Sequence, residues 1–359
     1  MASLENLPLR DNLRGRKPYG APQLEVPVAL NVNENTHPLS EGVLTDIVSR
    51  VATALLRINR YPDREFHSLR EALAKYLGNN LQIENIWAAN GSNEVLQQIF
   101  MAFGGPGRKA LSFRPTYSMY SLLAQSTDTQ YLEVDRHERY ELDADLVTAA
   151  INETNPDIVI ICSPNNPTGT PVSLELIEAA YAATYGILVI DEAYAEFALN
   201  RESAISLLPG RERLIVSRTM SKAFAFAGAR LGYLAADPAI CDAMRLVRLP
   251  YHLSGLTQAA AEGALAHSRE LLNAVDEIRE QRDRIYVELQ DLGLDPFRSD
   301  SNFVLFGGLD DSQAAFEFLL AKGILVRDVG IAGTLRVTAG TESETTAFLE
   351  AMGEYLAAN

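Results

Sequence analysis

One lysine has neighbours that would suit it to covalent chemistry. Lys222 lies in the stretch SRTMSKAFAFAGARLGY, with Thr219 and Ser221 before it and Arg230 eight positions after it. A lysine amine whose pKa is lowered by burial can form an imine, or Schiff base, with an aldehyde cofactor. The hydroxyls and the guanidinium nearby would hold a phosphate group of that cofactor. Because an isolated lysine is usually a solvated loop residue, the prediction depends on these neighbours.

A carboxylate and an amide provide a second set of polar groups. Asp191 ends the apolar run GILVIDEAY, where an unpaired charge would be costly. A protonated pyridine nitrogen would pair with it and would make that ring an electron sink, whereas Asp191 alone would equally suit a helix cap or a salt bridge. Asn166 belongs to SPNNPTG, which has the composition of a turn. Together with Tyr194, its amide would hydrogen-bond a ring hydroxyl beside the imine and favour the protonated form.

The segments that carry these residues have the pattern of a parallel α/β sheet. Apolar runs at residues 157–164, 186–194 and 213–219 are typical of buried strands, and residues 173–184 have helical spacing. This alternation predicts a mostly parallel sheet, whose ligands bind beyond the C-terminal ends of the strands. The polar residues at those ends are Asn165, Asn166, Asp191 and Thr219 to Lys222.

The remaining sequence predicts an arm and two domains. Residues 1–40 are rich in Pro, Asn and Arg and are predicted to form an N-terminal arm and part of the small domain. Residues 41–250 are predicted to form the large cofactor-binding domain, and residues 251–359 a smaller α+β domain. Helical patterns cover residues 42–56, 68–77, 268–292, 311–321 and 342–356, and further strand patterns cover residues 301–307, 323–328 and 334–340.

Composition excludes several classes of function. The chain has 359 residues, which suits two domains, and its net charge of -16 disfavours nucleic acid as a partner. Cys162 and Cys241 lack metal-ligand spacing and are predicted to be reduced core thiols, and the five scattered histidines imply no metal. No secretory h-region or apolar run of about 20 residues is evident, so a cytoplasmic protein without a membrane partner is expected.

Three motifs in order, SPNNPTG, DEAY and SKAFAFAGARLGY, resemble those of the fold type I, class II aminotransferases, and in their specific form those of histidinol-phosphate aminotransferases. The resemblance implies an α/β fold with a mostly parallel seven-stranded sheet, bound pyridoxal 5'-phosphate, and a homodimer with shared active sites. Two local departures, NENTHP for NENP and SKAFAFAGAR for SKAFGLAGLR, keep the polar and charged residues. The similarity runs almost end to end, through PYGAPQ, LNVNEN, RYPD, ANGSNE, PTYSMY, RLPYHLSGLTQAAA, SNFVLFG, VRDVGIAG and LRVTAG.

Carried over position by position, the resemblance implies a cofactor site. Ser92 and Asn93 would meet the cofactor phosphate at a helix N-terminus, Tyr117 would stack on the pyridine ring, and Tyr61 would reach the phosphate of the neighbouring subunit. The full implied set is Ser92, Asn93, Tyr117, Asn166, Asp191, Tyr194, Thr219, Ser221, Lys222, Arg230 and the neighbour's Tyr61.

The resemblance also implies how substrates bind. Arg336 would hold the anionic group of the substrate, and Arg327 would assist it. Plain packing is the alternative role for Tyr251, and surface salt bridges are the alternative for the two arginines. The implied substrate-binding residues are Tyr19, Asn35, Tyr251, Arg327 and Arg336.

The implied reaction belongs to L-histidine biosynthesis. The amino group passes between L-histidinol phosphate and 2-oxoglutarate, giving imidazole-acetol phosphate and L-glutamate, and the freed Lys222 amine acts as general base. Three alternatives stay open at this point. They are a broad-specificity aromatic amino acid aminotransferase, a lyase or decarboxylase with the same cofactor, and a cofactor-binding regulator, which the acidic composition disfavours.

Overall fold

A computed structural model describes residues 4–16, 18, 20 and 22–358 of the chain, which fold as an α/β protein. The strands are β1 (Val28–Ala29), β2 (Ile86–Ala89), β3 (Lys109–Arg114), β4 (Gln130–Asp135), β5 (Ile158–Cys162), β6 (Ile187–Asp191), β7 (Leu214–Thr219), β8 (Gly232–Ala236), β9 (Asp295–Pro296), β10 (Phe303–Gly307), β11 (Ile324–Leu325) and β12 (Leu335–Thr338). The helices are α1 (Glu41–Leu55), α2 (His67–Leu77), α3 (Ser92–Phe103), α4 (Met119–Ser126), α5 (Ala144–Thr154), α6 (Leu174–Ala183), α7 (Pro238–Val247), α8 (Gly255–Ala266), α9 (Ser268–Leu271), α10 (Ala274–Asp291), α11 (Ser312–Ala321) and α12 (Glu342–Ala358).

The central sheet has seven strands in the order β2-β8-β7-β6-β5-β3-β4. Strand β8 runs antiparallel to both of its neighbours, and the other pairs are parallel. Every residue of β5, β6, β7 and β8 is buried, which explains the apolar runs that begin β5, β6 and β7. The predicted fold class, a mostly parallel seven-stranded sheet, is confirmed.

Side-chain caps and a glycine fix the helix ends near the predicted positions. Ser40 and Ser173 cap α1 and α6 by accepting hydrogen bonds from the backbone N–H groups of Val43 and Leu176. Helix α2 stops at Gly78, whose φ of 66° suits glycine. Within residues 4–16, 18, 20 and 22–358, no helix is both long and apolar enough to span a membrane.

Two predicted elements differ from the structure. The single helix expected at 268–292 is two helices, α9 and α10, because hydrogen bonds at the junction join residues three apart, as from Val275 N to Leu272 O (3.1 Å). The strand expected at 323–328 is only the two-residue β11, which pairs with β1. Beyond β11, Arg327 forms an isolated bridge to Arg336 instead of continuing a strand.

The C-terminal part forms a smaller antiparallel sheet. Its strand order is β12-β10-β9; α10 packs on β9 and β10, and α12 packs on α10 and α11. The N-terminal arm joins this part through β1, and Thr338 N donates to Leu30 O (2.9 Å). Helix α8 packs on α1 and α2. The domain boundaries at residues 40 and 250 stay predictions.

Candidate active site

The polar strand ends meet at one cavity. Cys162 at the end of β5 lies in register with Asp191 of β6, and Asp191 lies in register with Ser217 of β7. A cavity of about 520 Å³ opens beyond these ends. It brings together most of the predicted site residues: Ser92, Asn93, Tyr117, Asn166, Asp191, Tyr194, Thr219, Ser221, Lys222, Arg230, Arg327 and Arg336.

Three predicted residues that the structure describes are not part of the cavity wall. Tyr61 and Tyr251 stack on each other with ring centroids 4.4 Å apart, and their exposed fractions are 79% and 40%. The amide of Asn35 donates to Ala223 O (3.2 Å), so it holds the backbone immediately after Lys222. Tyr19 lies outside the described residues.

The Lys222 amine lies against the N-terminal segment. Its Nζ donates a hydrogen bond to the carbonyl oxygen of Val32 (2.9 Å). Burial lowers the pKa of Lys222 to about 8, and the charges of Arg336 and Arg230 act in the same direction, while Glu34 acts against them. A neutral, nucleophilic amine is therefore accessible near physiological pH.

We expect Lys222 to react with a small amine-reactive reagent at lower pH in the folded protein than in the unfolded chain. The neutral amine forms as the pH rises through about 8 in the folded state, compared with roughly 10.4 for lysine in peptides. Mass spectrometry of the Lys222 peptide, with ligand-stripped protein in buffer and in denaturant, measures both reaction profiles. Identical profiles in the two conditions would contradict the expectation.

Asp191 is a buried carboxylate held by neutral donors. Its exposed fraction is 2%, and it accepts hydrogen bonds from the hydroxyls of Tyr120 (2.7 Å) and Ser217 (2.8 Å). Burial raises the pKa of Asp191, and these two hydrogen bonds act against that rise. A cation brought into the cavity would offset the cost of the buried charge.

The opposite end of the cavity is shaped for an anion. Ser92 and Asn93 are the first residues of α3, where free N–H groups and the helix dipole favour negative charge. The Arg230 guanidinium approaches this end, where its Nη1 lies 3.5 Å from Ser221 Oγ. A Cβ at Gly91 would clash with that guanidinium, and a Cβ at Gly232 would clash with the Ser92 backbone nitrogen. The absence of a Cβ at both glycines thus lets the guanidinium and the start of α3 approach this end of the cavity.

A polar network joins the turn of SPNNPTG to the C-terminal sheet. The Tyr194 hydroxyl accepts from the amides of Asn33 (2.9 Å) and Asn166 (3.4 Å). Arg336 donates through Nη1 to Asn166 Oδ1 (2.6 Å) and through Nη2 to Asn31 O (2.9 Å). Burial raises the pKa of Tyr194, so its phenol stays protonated. Asn166 and Tyr194 are therefore hydrogen-bonded neighbours.

Two guanidinium groups line the side of the cavity nearest the C-terminal sheet. Arg327 and Arg336 exchange backbone hydrogen bonds (2.9 and 2.8 Å), so both lie on one ladder. Among the residues that the structure describes, the Arg327 side chain makes no hydrogen bond or ion pair to another residue, and it is half-buried in the wall. Across the cavity, the Tyr117 hydroxyl donates to Asn93 Oδ1 (3.1 Å).

Three side chains that hold the predicted site residues were not identified from the sequence, and one residue expected at the site does not face the cavity. Tyr120 and Ser217, which hold Asp191, and Asn33, which holds Tyr194, were not singled out. Tyr120 and Asn33 lie inside the motifs PTYSMY and LNVNEN, and Ser217 precedes the strand end by two residues. Asn165 is fully buried, and its amide donates to Pro115 O and Thr168 Oγ1, so it holds the turn and does not face the cavity.

Comparisons with known proteins agree with this architecture. The family model for aminotransferase class I and II matches residues 25–352. The histidinol-phosphate aminotransferase of Paenarthrobacter aurescens (strain TC1) is 63% identical over 353 residues, covering 97% of this chain and 95% of that protein. The corresponding protein of Thermobifida fusca (strain YX) is 53% identical, covering 98% and 96%. The solved histidinol-phosphate aminotransferase from Sinorhizobium meliloti, in complex with pyridoxal-5'-phosphate, is 28% identical with a TM-score of 0.85, covering 93% of this chain and 92% of that one. The chain therefore belongs to the aminotransferase class I and II family.

Proposed function

We propose that the chain is a histidinol-phosphate aminotransferase that uses pyridoxal 5'-phosphate. The observation that carries the proposal is the cavity at the strand ends, which combines the Lys222 amine, the buried Asp191 carboxylate, an anion site and a pair of arginines. Identities of 50–63% to curated histidinol-phosphate aminotransferases over nearly the whole chain support the choice of substrate. The aromatic aminotransferase is the less favoured alternative.

The residues present suit this cofactor. When bound, pyridoxal phosphate supplies an aldehyde that links to amines and a ring that takes up electrons from the substrate Cα. Asp191 would hold the ring nitrogen protonated, and the N-terminus of α3 with Arg230 would bind the phosphate. Gly91 and Gly232 allow the Arg230 guanidinium and the first residue of α3 to pack closely where a Cβ would clash, which supports the phosphate assignment. We therefore assign the cofactor to this cavity.

Lys222 would act as anchor and then as base. A low pKa keeps the amine neutral for covalent attachment, and displacement by the substrate amine frees it again. The freed Nζ then removes the proton from the substrate Cα. Tyr194 and Asn166, held by Asn33 and Arg336, would keep the ring hydroxyl oriented during this transfer. These residues would thereby direct the base to the proton on the substrate Cα.

The arginine pair would bind both substrates by their anionic groups. Histidinol phosphate presents a phosphate ester where glutamate presents its α-carboxylate, and a guanidinium fork binds either group. Arg336 is held by Asn166 and by Asn31 O, which fixes its plane. Arg327 adds a second positive charge on the same ladder. The same two arginines would thus bind the anionic group in both half-reactions, with histidinol phosphate and with 2-oxoglutarate.

A spectral titration of the holoenzyme tests the function. Histidinol phosphate alone should remove the visible absorbance of the lysine-bound cofactor, and 2-oxoglutarate should restore it with formation of glutamate. A comparison of kcat/KM for histidinol phosphate and phenylalanine distinguishes the alternative. Preference for phenylalanine would favour the aromatic aminotransferase, and substrate loss without glutamate would favour a lyase or decarboxylase.

We further propose a homodimer in which Tyr61 of one subunit reaches the cofactor phosphate of the other. Tyr61 is exposed and lies outside its own cavity wall, and Leu44, Val48 and Leu55 form an exposed apolar stripe on α1. Exposed apolar faces of this kind mark interaction surfaces. Sedimentation at micromolar concentration should give twice the chain mass. A monomer with full activity would contradict the proposal.

A further inference from the structure

Three carboxylates line the cavity, and two of them are held by the protein. Asp191 accepts hydrogen bonds from Tyr120 and Ser217, and Asp328 accepts one from Gly330 N (2.7 Å). Within the described part of the chain, the Glu34 carboxylate makes no hydrogen bond or ion pair to another residue. A carboxylate presented to a binding cavity in this way is suited to a ligand donor.

The backbone that carries Glu34 is fixed on several sides. Its neighbour Asn33 receives a hydrogen bond at its carbonyl oxygen from the Asn302 amide (3.0 Å) and donates its own N–H to Thr338 Oγ1 (3.0 Å). Asn33 has a φ of 57°, which turns the chain just before Glu34. Val32 O accepts from the Lys222 amine. The Glu34 backbone is therefore fixed two residues beyond the carbonyl that accepts from Lys222, and its exposed side chain lines the cavity.

The chemistry of the proposed substrate leaves one polar group for this position. In histidinol phosphate the amine would take the place of Lys222 on the cofactor and the phosphate would go to the arginine pair, so the imidazole remains. An imidazole carries an N–H donor and is partly cationic near neutral pH, and a carboxylate is a strong partner for such a donor. Resting on the function proposed above, we infer that Glu34 recognises the substrate imidazole by accepting a hydrogen bond from its ring N–H.

The role of Glu34 can be tested because it should affect the two substrates in opposite directions. Glutamate places its side-chain carboxylate where histidinol phosphate places its imidazole, and like charges repel. Glu34 should therefore favour histidinol phosphate and disfavour glutamate. An effect transmitted only through the charge on Lys222 would change both half-reactions in the same direction, because both use that amine.

The test is the Glu34→Gln holoenzyme, assayed separately in each half-reaction. We expect kcat/KM for histidinol phosphate to fall by about 10-fold, the size expected for one charge-assisted hydrogen bond at an exposed position, while that for glutamate is unchanged or higher. Phenylalaninol phosphate, which lacks the ring N–H, should be converted equally well by both proteins. Glu25→Gln, which removes an exposed charge outside the cavity wall, is the matched control.

The possible outcomes separate the two proposals. If the unaltered enzyme converts histidinol phosphate and Glu34→Gln does so equally well, or if both half-reactions fall together, the role of Glu34 is wrong and the function stands. If the unaltered enzyme does not convert histidinol phosphate, the proposed function fails and the inference fails with it. Spectral titration of each variant with histidinol phosphate also gives an apparent Kd, which should rise for Glu34→Gln alone.

Discussion

Replacing Lys222 with alanine is expected to lower kcat by at least about 10³-fold, because one substitution removes both the covalent anchor and the general base. The amine of Lys222 lies in the cavity near the strand ends, beside Val32 O and among Arg230 and Arg336. Multiple-turnover assays with histidinol phosphate and 2-oxoglutarate measure the loss. The visible absorbance of the lysine-bound cofactor should disappear as well.

Two controls distinguish a chemical role for Lys222 from a structural one. Lys75→Ala removes an exposed lysine in the last turn of α2 and should leave turnover unchanged. A small primary amine added to Lys222→Ala should restore part of the rate, because proton transfer at the substrate Cα needs only a correctly placed base. Normal multiple turnover by Lys222→Ala would overturn the assignment.

Replacing Arg218 with methionine is expected to lower the free energy of unfolding by about 3–5 kcal/mol, the cost of leaving buried charges uncompensated. Arg218 forms ion pairs of 2.8 Å with both Glu192 and Glu196, and the three side chains are exposed by only 8%, 6% and 6%. The Coulombic attraction of both carboxylates raises the pKa of Arg218 against the effect of burial. Denaturant unfolding of the purified variant measures the change.

An exposed ion pair provides the matched control for Arg218. Arg114 and Asp135 pair at the surface, with exposed fractions of 56% and 69%. Arg114→Met should therefore cost only about 0–1 kcal/mol. A variant that replaces Arg218, Glu192 and Glu196 together should recover part of the lost stability, since no buried charge is left unpaired. Equal losses for Arg218→Met and Arg114→Met would contradict this account.

The site residues at the strand ends were predictable because the sequence features that indicate them lie close together in the chain. Buried parallel strands are continuous apolar runs, and the polar residues that follow, such as Asn166, Asp191 and Lys222, stand beside them in the sequence. The contacts that hold these residues are not local. Tyr120 reaches Asp191 across 71 residues, and Asn33 reaches Tyr194 across 161. Such partners are set by chain packing, which periodicity does not encode.

Local hydrogen bonds and the lack of a strand partner explain the two errors in the predicted secondary structure. Hydrophobic spacing continues through residues 272–273, yet hydrogen bonds between residues three apart divide the helix there. The run GILVRD at 323–328 predicts a strand, but beyond β11 only Arg327 finds a partner, in Arg336. Strand length depends on the neighbouring strand as well as on the sequence itself.

The two glycines beside the anion site bear on how the gene tolerates mutation. Gly91 and Gly232 contribute no functional group, yet any added Cβ meets the Arg230 guanidinium or the Ser92 backbone nitrogen. A saturation library selected for growth without supplied product should therefore reject every replacement at Gly232, including alanine, because the clash there is with backbone, and should select against replacements at Gly91, whose φ is 84°. Neutral drift in this part of the gene is confined by close packing against the glycine backbone as well as by the reactive side chains.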